Sequence, residues 1–312
     1  MVDEACRVFD VPQEKFVEEF YETVMEVVDY VAFPLASLDS DRLVALISSY
    51  ENAFFSLEYR EEYLDEIVEV LRRIPRECGW EAGARFGVSL GRIPTTPYFP
   101  VTRSGGEGLS MSLLYVDYLK SRVANGASVS DAMREAALRA YKLAYEASDS
   151  ADSRLALIGL DLSLSPWMEE SVGALVEQIL GAPLMTPGTY STIGLLNDLL
   201  TTLAKSLRAV GFNEVMMPLA EDNRLKELAA VGQLKFRDLL SLTPLCVAGL
   251  DMVPIPSTTE EKVLKGVISD LRRFHLLKGR SIGMRLVLVD SEPGVEILLG
   301  RFGRTPVLDP LQ

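Results

Sequence analysis

From residue 151 the chain alternates short, nearly all-apolar runs with segments of helical period, and few architectures accommodate that pattern. "RLALIGLDLSL" reads as a strand, "MEESVGALVEQILG" as a helix ended by Gly181, and "GTYSTIGLLNDLLTTLAKSLRAVG" as a longer helix ended by Gly211. "FNEVMMPLA" reads as a strand, "DNRLKELAAVG" as a short helix capped by Asp222, "TPLCVAGLDMVPIP" as a strand and "TEEKVLKGVISDLRRFHLLKG" as a helix. "SIGMRLVLVD" and "GVEILLG" close the chain as strands around a Glu-Pro-Gly turn. Strands apolar on both faces, separated by helices, indicate a largely parallel sheet covered on both sides.

Upstream the texture differs. Residues 13–33 and 41–74 carry apolar positions at helical spacing between acidic ones and read as mostly helical, until Pro75 and Cys78-Gly79 break the pattern. "ARFGVSLG" is a strand, followed by the proline-rich loop "RIPTTPYFPVTRSGGEG". Helices are expected over about 109–124 and 130–148, the second with Ser128 or Ser130 as its cap. The expectation is one structural domain, with residues 1–83 a helical N-terminal region and 84–312 the α/β region.

Two stretches share unusual punctuation. "GLDLSLSP" and "GLDMVPIP" each place Gly-Leu-Asp after an apolar run, with a proline beyond. A carboxylate inside a buried strand costs several kcal/mol unless it pairs, so each aspartate belongs at the strand's exit, where α/β proteins hold ligands. Asp161 and Asp251 thus read as equivalent candidate catalytic or metal-binding acids, or as acceptors for loop amides or an arginine. Glu221 and Asp222 follow a third strand exit, although Asp222 also suits a helix cap. If the strands are neighbours, Asp161, Glu221, Asp222 and Asp251 form an oxygen-rich cluster fit for Mg²⁺ or Ca²⁺.

Two loops offer exposed amides to an anion: "TRSGGEGLS", with Gly105 and Gly106, and "TPGTYST", with Thr189 as a helix cap. Arg304 and Arg301, beside glycines in "GRFGRTPV", read as guanidinium donors to the ligand or, more commonly for such a pair, as surface salt-bridge partners. Cys246 lies five residues before Asp251 and is the candidate thiol, although its apolar setting raises a thiol pKa. The aromatic turn "TPYFP" reads as core packing or as the cover of a cavity. The single histidine, His275, reads as a helix-end residue. Cys6, Cys78 and Cys246 have neither disulfide nor zinc-site spacing.

Charge and hydropathy limit the partners. The formal charge is −14, from 45 acidic and 31 basic side chains, and such a surface repels nucleic acid. No apolar run approaches the ~20 residues of a membrane span, and the N-terminus lacks a signal layout, so a cytoplasmic location is expected. The expected partner is a small-molecule ligand; a homo-oligomer stays open.

The ordered stretches "GLDLSLSP", "TPGTYSTIGLLNDLL", "GFNEVMMPLAEDNRL", "LTPLCVAGLDMVPIP" and "LLGRFGRTPVL" closely resemble the DUF711 (UPF0210) family of uncharacterised proteins. The resemblance covers roughly residues 84–308; the first ~80 residues depart from that family's longer N-terminal half. It implies a barrel-like α/β fold similar to pyruvate formate-lyase and ribonucleotide reductase, with two parallel half-sheets running antiparallel to each other. A glycyl-radical mechanism is not expected. "GRFGRTP" departs from the required Arg-Val-x-Gly-Tyr-like loop, and Cys246 is a single candidate for the thiol finger. The preferred reading is an enzyme acting on a small anionic metabolite through acids at strand ends, with or without a divalent metal. A non-catalytic small-molecule-binding or regulatory protein is the alternative, and a structural subunit docking through its N-terminal helices a third.

Overall fold

A computed structural model describes residues 13–150 and 156–312. After helix α1 (Gln13–Val24), a β-α-β-α-β unit forms from β1 (Val31–Leu35), α2 (Ser40–Ser49), β2 (Ala53–Glu58), α3 (Leu64–Glu77) and β3 (Phe86–Leu90). β1, β2 and β3 are mutually parallel. The stretch read as helical therefore contains two strands. They are only five and six residues long, and strong helical periods on either side hid them. β1 lies at the sheet edge, so Pro34 within it breaks no ladder.

The chain continues through β4 (Leu109–Ser112), α4 (Val116–Ala124), α5 (Val129–Ser150), β5 (Leu157–Asp161), α6 (Val172–Leu180) and α7 (Thr189–Ser206). Ser128 accepts from the Asp131 amide at 3.1 Å and caps α5, as expected. Gly181 closes α6 in the left-handed conformation. α7 ends at Ser206, before Gly211, which has a different role described below. The expected 109–124 helix begins only at Val116, because Leu109–Ser112 pairs in parallel with β5. Cys6, and Arg154 and Leu155 of the expected strand, lie outside the described residues.

The last third contains α8 (Asn223–Ala230), α9 (Phe236–Leu242), β6 (Val253–Pro256), α10 (Glu261–Lys278), β7 (Ile282–Met284), β8 (Leu286–Val289), β9 (Glu296–Leu298) and β10 (Arg304–Pro306). β7 joins the four-stranded sheet β1-β2-β3-β7, antiparallel to β3, so that sheet draws strands from both sides of residue 84. β6 and β8 are parallel, and β9 and β10 form an antiparallel hairpin.

Among the described residues no sheet closes into a barrel. Between β5 and β7 the backbone is joined by sparse bonds: Val210 N to Leu160 O, Met216 N to Leu164 O, Val247 N to Val215 O and Gly283 N to Val247 O. The segments carrying them, including the expected strand "FNEVMMPLA", are too irregular to form continuous ladders. Among the described residues no helix is long and apolar enough to cross a membrane.

The structure corrects the reading of "GLDMVPIP". Its prolines lie inside β6 rather than beyond it, and Asp251 stands just before that strand instead of at its exit. Parallel pairing uses alternate amides: Val253 and Ser257 donate to Arg285 and Val289 of the neighbouring segment. Pro254 and Pro256 occupy the intervening positions, where no amide is needed for that ladder. Residues with identical punctuation therefore hold opposite ends of their strands.

Candidate functional site

Asp161 is the last residue of β5 and is fully buried. Its Oδ1 accepts from the Ser163 amide (3.1 Å), the Ser163 hydroxyl (2.6 Å) and the Asn213 amide (3.1 Å). Its Oδ2 accepts from the Thr96 hydroxyl (2.7 Å) and the Phe212 amide (2.9 Å). These bonds tie β5 to both the 96–102 strap and the 211–213 turn. Gly211, at φ +80°, presses against the carboxylate so closely that a Cβ would sit 1.9 Å from Oδ2. Only glycine combines that backbone with that approach. Asp161 is thus a structural clamp.

Asp222 is a second, separate clamp. It caps α8 by accepting from the Leu225 amide at 3.1 Å, and it also accepts from the Ser171 hydroxyl (2.5 Å) and Gly173 amide (3.0 Å). Burial raises its pKa against the effect of these donors.

Asp251 and Glu221 do come together, on a residue the sequence reading missed. Arg285 lies between β7 and β8, and its guanidinium grips Asp251 bidentately, with Nη2 2.7 Å from Oδ2 and Nε donating to Oδ1. The same Nη2 lies 2.9 Å from Glu221 Oε1. Arg285 therefore occupies the place between two carboxylates that the sequence reading gave to a metal. Among the described residues no group of three or more His, Cys, Asp or Glu could hold a metal ion. The shared cation site of Asp161, Glu221, Asp222 and Asp251 is not formed, because two members spend their oxygens on amides and hydroxyls.

The triad lines a cavity of about 70 Å³, walled by Tyr98, Ser165 and Met216 among others. The "TPYFP" turn is therefore part of a cavity wall. Burial opposes the charge on Arg285, but Asp251 and Glu221 outweigh it and hold its pKa above the usual arginine value. Burial, reinforced by Asp251, pushes Glu221 up despite the guanidinium. The Tyr98 hydroxyl is buried, and burial, then the charge of Asp161, holds its pKa well above the ordinary phenol value.

The other candidates lie elsewhere. Cys246 is fully buried, and burial pushes its thiol up to about 12, which keeps it protonated at neutral pH. Thr189 is buried as the first residue of α7 and donates to Thr186 O at 2.9 Å; Gly188, not Thr189, is the cap. Gly105 and Gly106 are exposed in their loop. Arg304 is exposed and lines a separate groove of about 620 Å³ beside Arg301 and Lys226. His275 pairs through Nδ1 with Arg280 O at 2.9 Å, a helix-end contact as expected.

Arg285 was discoverable. "GMRLVLVD" places a lone cation in an otherwise apolar run, and a buried charge there requires partners just as an aspartate does.

A family model described as "Uncharacterised ACR (DUF711)" matches residues 62–297. Among curated relatives, a UPF0210 protein of Lacticaseibacillus paracasei is 28% identical over 166 residues, covering 52% of this chain and 37% of that protein. UPF0210 proteins of Clostridium perfringens and Bifidobacterium adolescentis are each 28% identical over 170 residues, or 53% of this chain, covering 38% and 37% of their own lengths. The matches thus span under two fifths of these relatives.

Proposed function

The chain belongs to the DUF711 family, and we propose that it is an enzyme of small-molecule acid–base chemistry, with Glu221 as the group that takes and returns a proton. One observation carries this reading: Glu221 and Asp251 share a single guanidinium inside a cavity. Two carboxylates against one cation leave an excess negative charge, and burial raises Glu221 toward the range where a carboxyl exchanges protons efficiently. Asp251 keeps Arg285 in place, and Arg285 orients Glu221. No metal is needed for this assignment.

The cavity selects the ligand by charge and size. Its excess negative charge suits a reacting group that brings hydrogen-bond donors, such as an amine, amide or hydroxyl. About 70 Å³ holds roughly two waters' worth of volume, so only the reacting end of a molecule enters. An anionic portion of the substrate, as expected for a small anionic metabolite, would lie outside the triad. The small volume also favours a second reading, a non-catalytic binding protein on the same fold.

Glu221→Gln separates them. Turnover of a small hydroxy, amino or carbonyl compound by the wild type but not by the variant supports the enzyme; binding by both without turnover supports the alternative. The pH profile gives a further expectation. A carboxyl whose folded pKa is raised contributes most below its ordinary value of 4.5, and that contribution is lost as pH rises through the folded value. Glu221→Gln cannot ionise, so at about pH 7 it should be at least as stable as the wild type and lack this decline. A variant clearly less stable at neutral pH, with the decline intact, would make Glu221 only an ion-pair partner.

A further inference from the structure

We propose a second ligand site, independent of the acid–base reading: an oxyanion pocket at the carboxyl ends of β1, β2 and β3, built on Arg60 and Arg103. Parallel pairing brings these ends to one edge of the sheet, with Leu35 opposite Leu57 and Glu58 opposite Ser89. A cavity of about 290 Å³ opens there, lined by the residues that follow each strand, including Ala36, Arg60 and Ile93, together with Arg103 and Ser104. The carboxyl edge of parallel strands is the general place for ligands in α/β sheets.

The charges point to an anion. Among the described residues neither Arg60 nor Arg103 makes an ion pair, in a protein whose formal charge is −14. Arg103 Nε is buried without any hydrogen-bond partner, an unsatisfied donor of the kind folded proteins rarely leave. The guanidinium of Arg60 sits 5.6 Å from the centre of the Tyr63 ring. The one carboxylate lining the cavity, Glu58, is tied to the Ile93 amide at 2.8 Å. Two arginines therefore line the cavity against one carboxylate, which leaves an excess of positive charge there.

Arg103 is held ready by its own backbone. Its amide donates to Pro94 O at 3.0 Å, and the preceding Thr102 hydroxyl donates to Thr96 O, so the strap is closed on itself. Ser104, at the rim, shares its hydroxyl with Gly106, accepting from its amide at 3.2 Å and donating to its carbonyl at 2.8 Å. A planar guanidinium with a free donor recognises phosphate or carboxylate by paired hydrogen bonds. The volume is near the lower end for small-molecule pockets, which suits a compact phosphate monoester or carboxylate and excludes a dinucleotide.

The test is saturable binding at matched ionic strength, read by calorimetry and melting temperature, with inorganic phosphate and malonate as probes. Saturable binding of phosphate alone assigns a phosphate site, and of malonate alone a carboxylate site; either supports the pocket. Arg60→Ala, an exposed change that leaves the core intact, should weaken binding about tenfold, and Arg103→Ala should abolish it. Arg76→Ala, also exposed and remote from the cavity lining, should bind like the wild type. The pocket is refuted if neither probe binds saturably, or if both Arg60→Ala and Arg103→Ala, shown folded by circular dichroism, bind like the wild type. Glu221→Gln should leave phosphate or malonate binding unchanged, so this site and the acid–base reading stand or fall separately.

Discussion

Arg285→Met is expected to destabilise the protein by about 3–5 kcal/mol at neutral pH, because it strands two buried carboxylates without their shared cation. The Arg285 side chain is 7% exposed, against 13% for Asp251 and 16% for Glu221, so water cannot replace it efficiently. The loss should depend on pH with a definite sign. Without the guanidinium the folded-state pKa of Glu221 rises further, so the variant loses stability as pH rises through it and approaches the wild type as pH falls toward the ordinary carboxyl range. Adding Glu221→Gln to Arg285→Met should recover part of the loss by removing one of the two charges. Arg285→Lys should rescue poorly, since an ammonium cannot match the bidentate grip on Asp251. Urea unfolding across pH checks each point; a variant within about 1 kcal/mol of the wild type at neutral pH would show the triad to be hydrated and weak.

Asp161→Asn should cost a similar amount, about 3–5 kcal/mol, with no dependence on added Mg²⁺ or Ca²⁺. The carboxylate accepts from three amides and two hydroxyls. An asparagine keeps one acceptor oxygen, which satisfies either the Ser163 and Asn213 side or the Phe212 side. With its NH₂ placed toward Phe212, donor meets donor at a site 2.9 Å from the backbone amide, while only the Thr96 hydroxyl can turn to accept. The 96–102 strap and the 211–213 turn should loosen together, and faster hydrogen exchange at Phe212 and Asn213 would report it. A metal-dependent melting temperature that disappears in Asp161→Asn would instead restore the cation site.

The two aspartates show how far the sequence could be read. That each acid had to be satisfied followed from its apolar surroundings, and both are satisfied, Asp161 by loop donors and Asp251 by an arginine. Their apparent equivalence did not survive, because partner identity is decided by segments 34 to 65 residues away that local pattern does not reach. The prolines of "GLDMVPIP" suggest a strand exit by local pattern, whereas their spacing of two fits a strand that needs only alternate amides. β1 and β2 went unread because helical periodicity was extended across two short runs, "VAFPL" and "AFFSLE", whose β-branched and aromatic residues were the available clue. Helix ends at Gly181 and Ser128, the cap role of Asp222, and the raised thiol pKa of Cys246 were all legible, since each rests on chemistry within a few residues. A closed barrel needed continuous ladders from β5 to β7, and single bridging bonds at Leu160, Leu164 and Val247 do not supply them.

The most direct test of the central claim is a carbon-13 NMR titration of the Glu221 side-chain carboxyl, assigned by its absence in Glu221→Gln. The arrangement predicts a midpoint above the ordinary glutamate value of 4.5, because burial and Asp251 together outweigh Arg285. A midpoint at or below 4.5 would contradict it: Arg285 would then keep Glu221 permanently ionised, and the cavity would hold an ion triad with no proton to exchange.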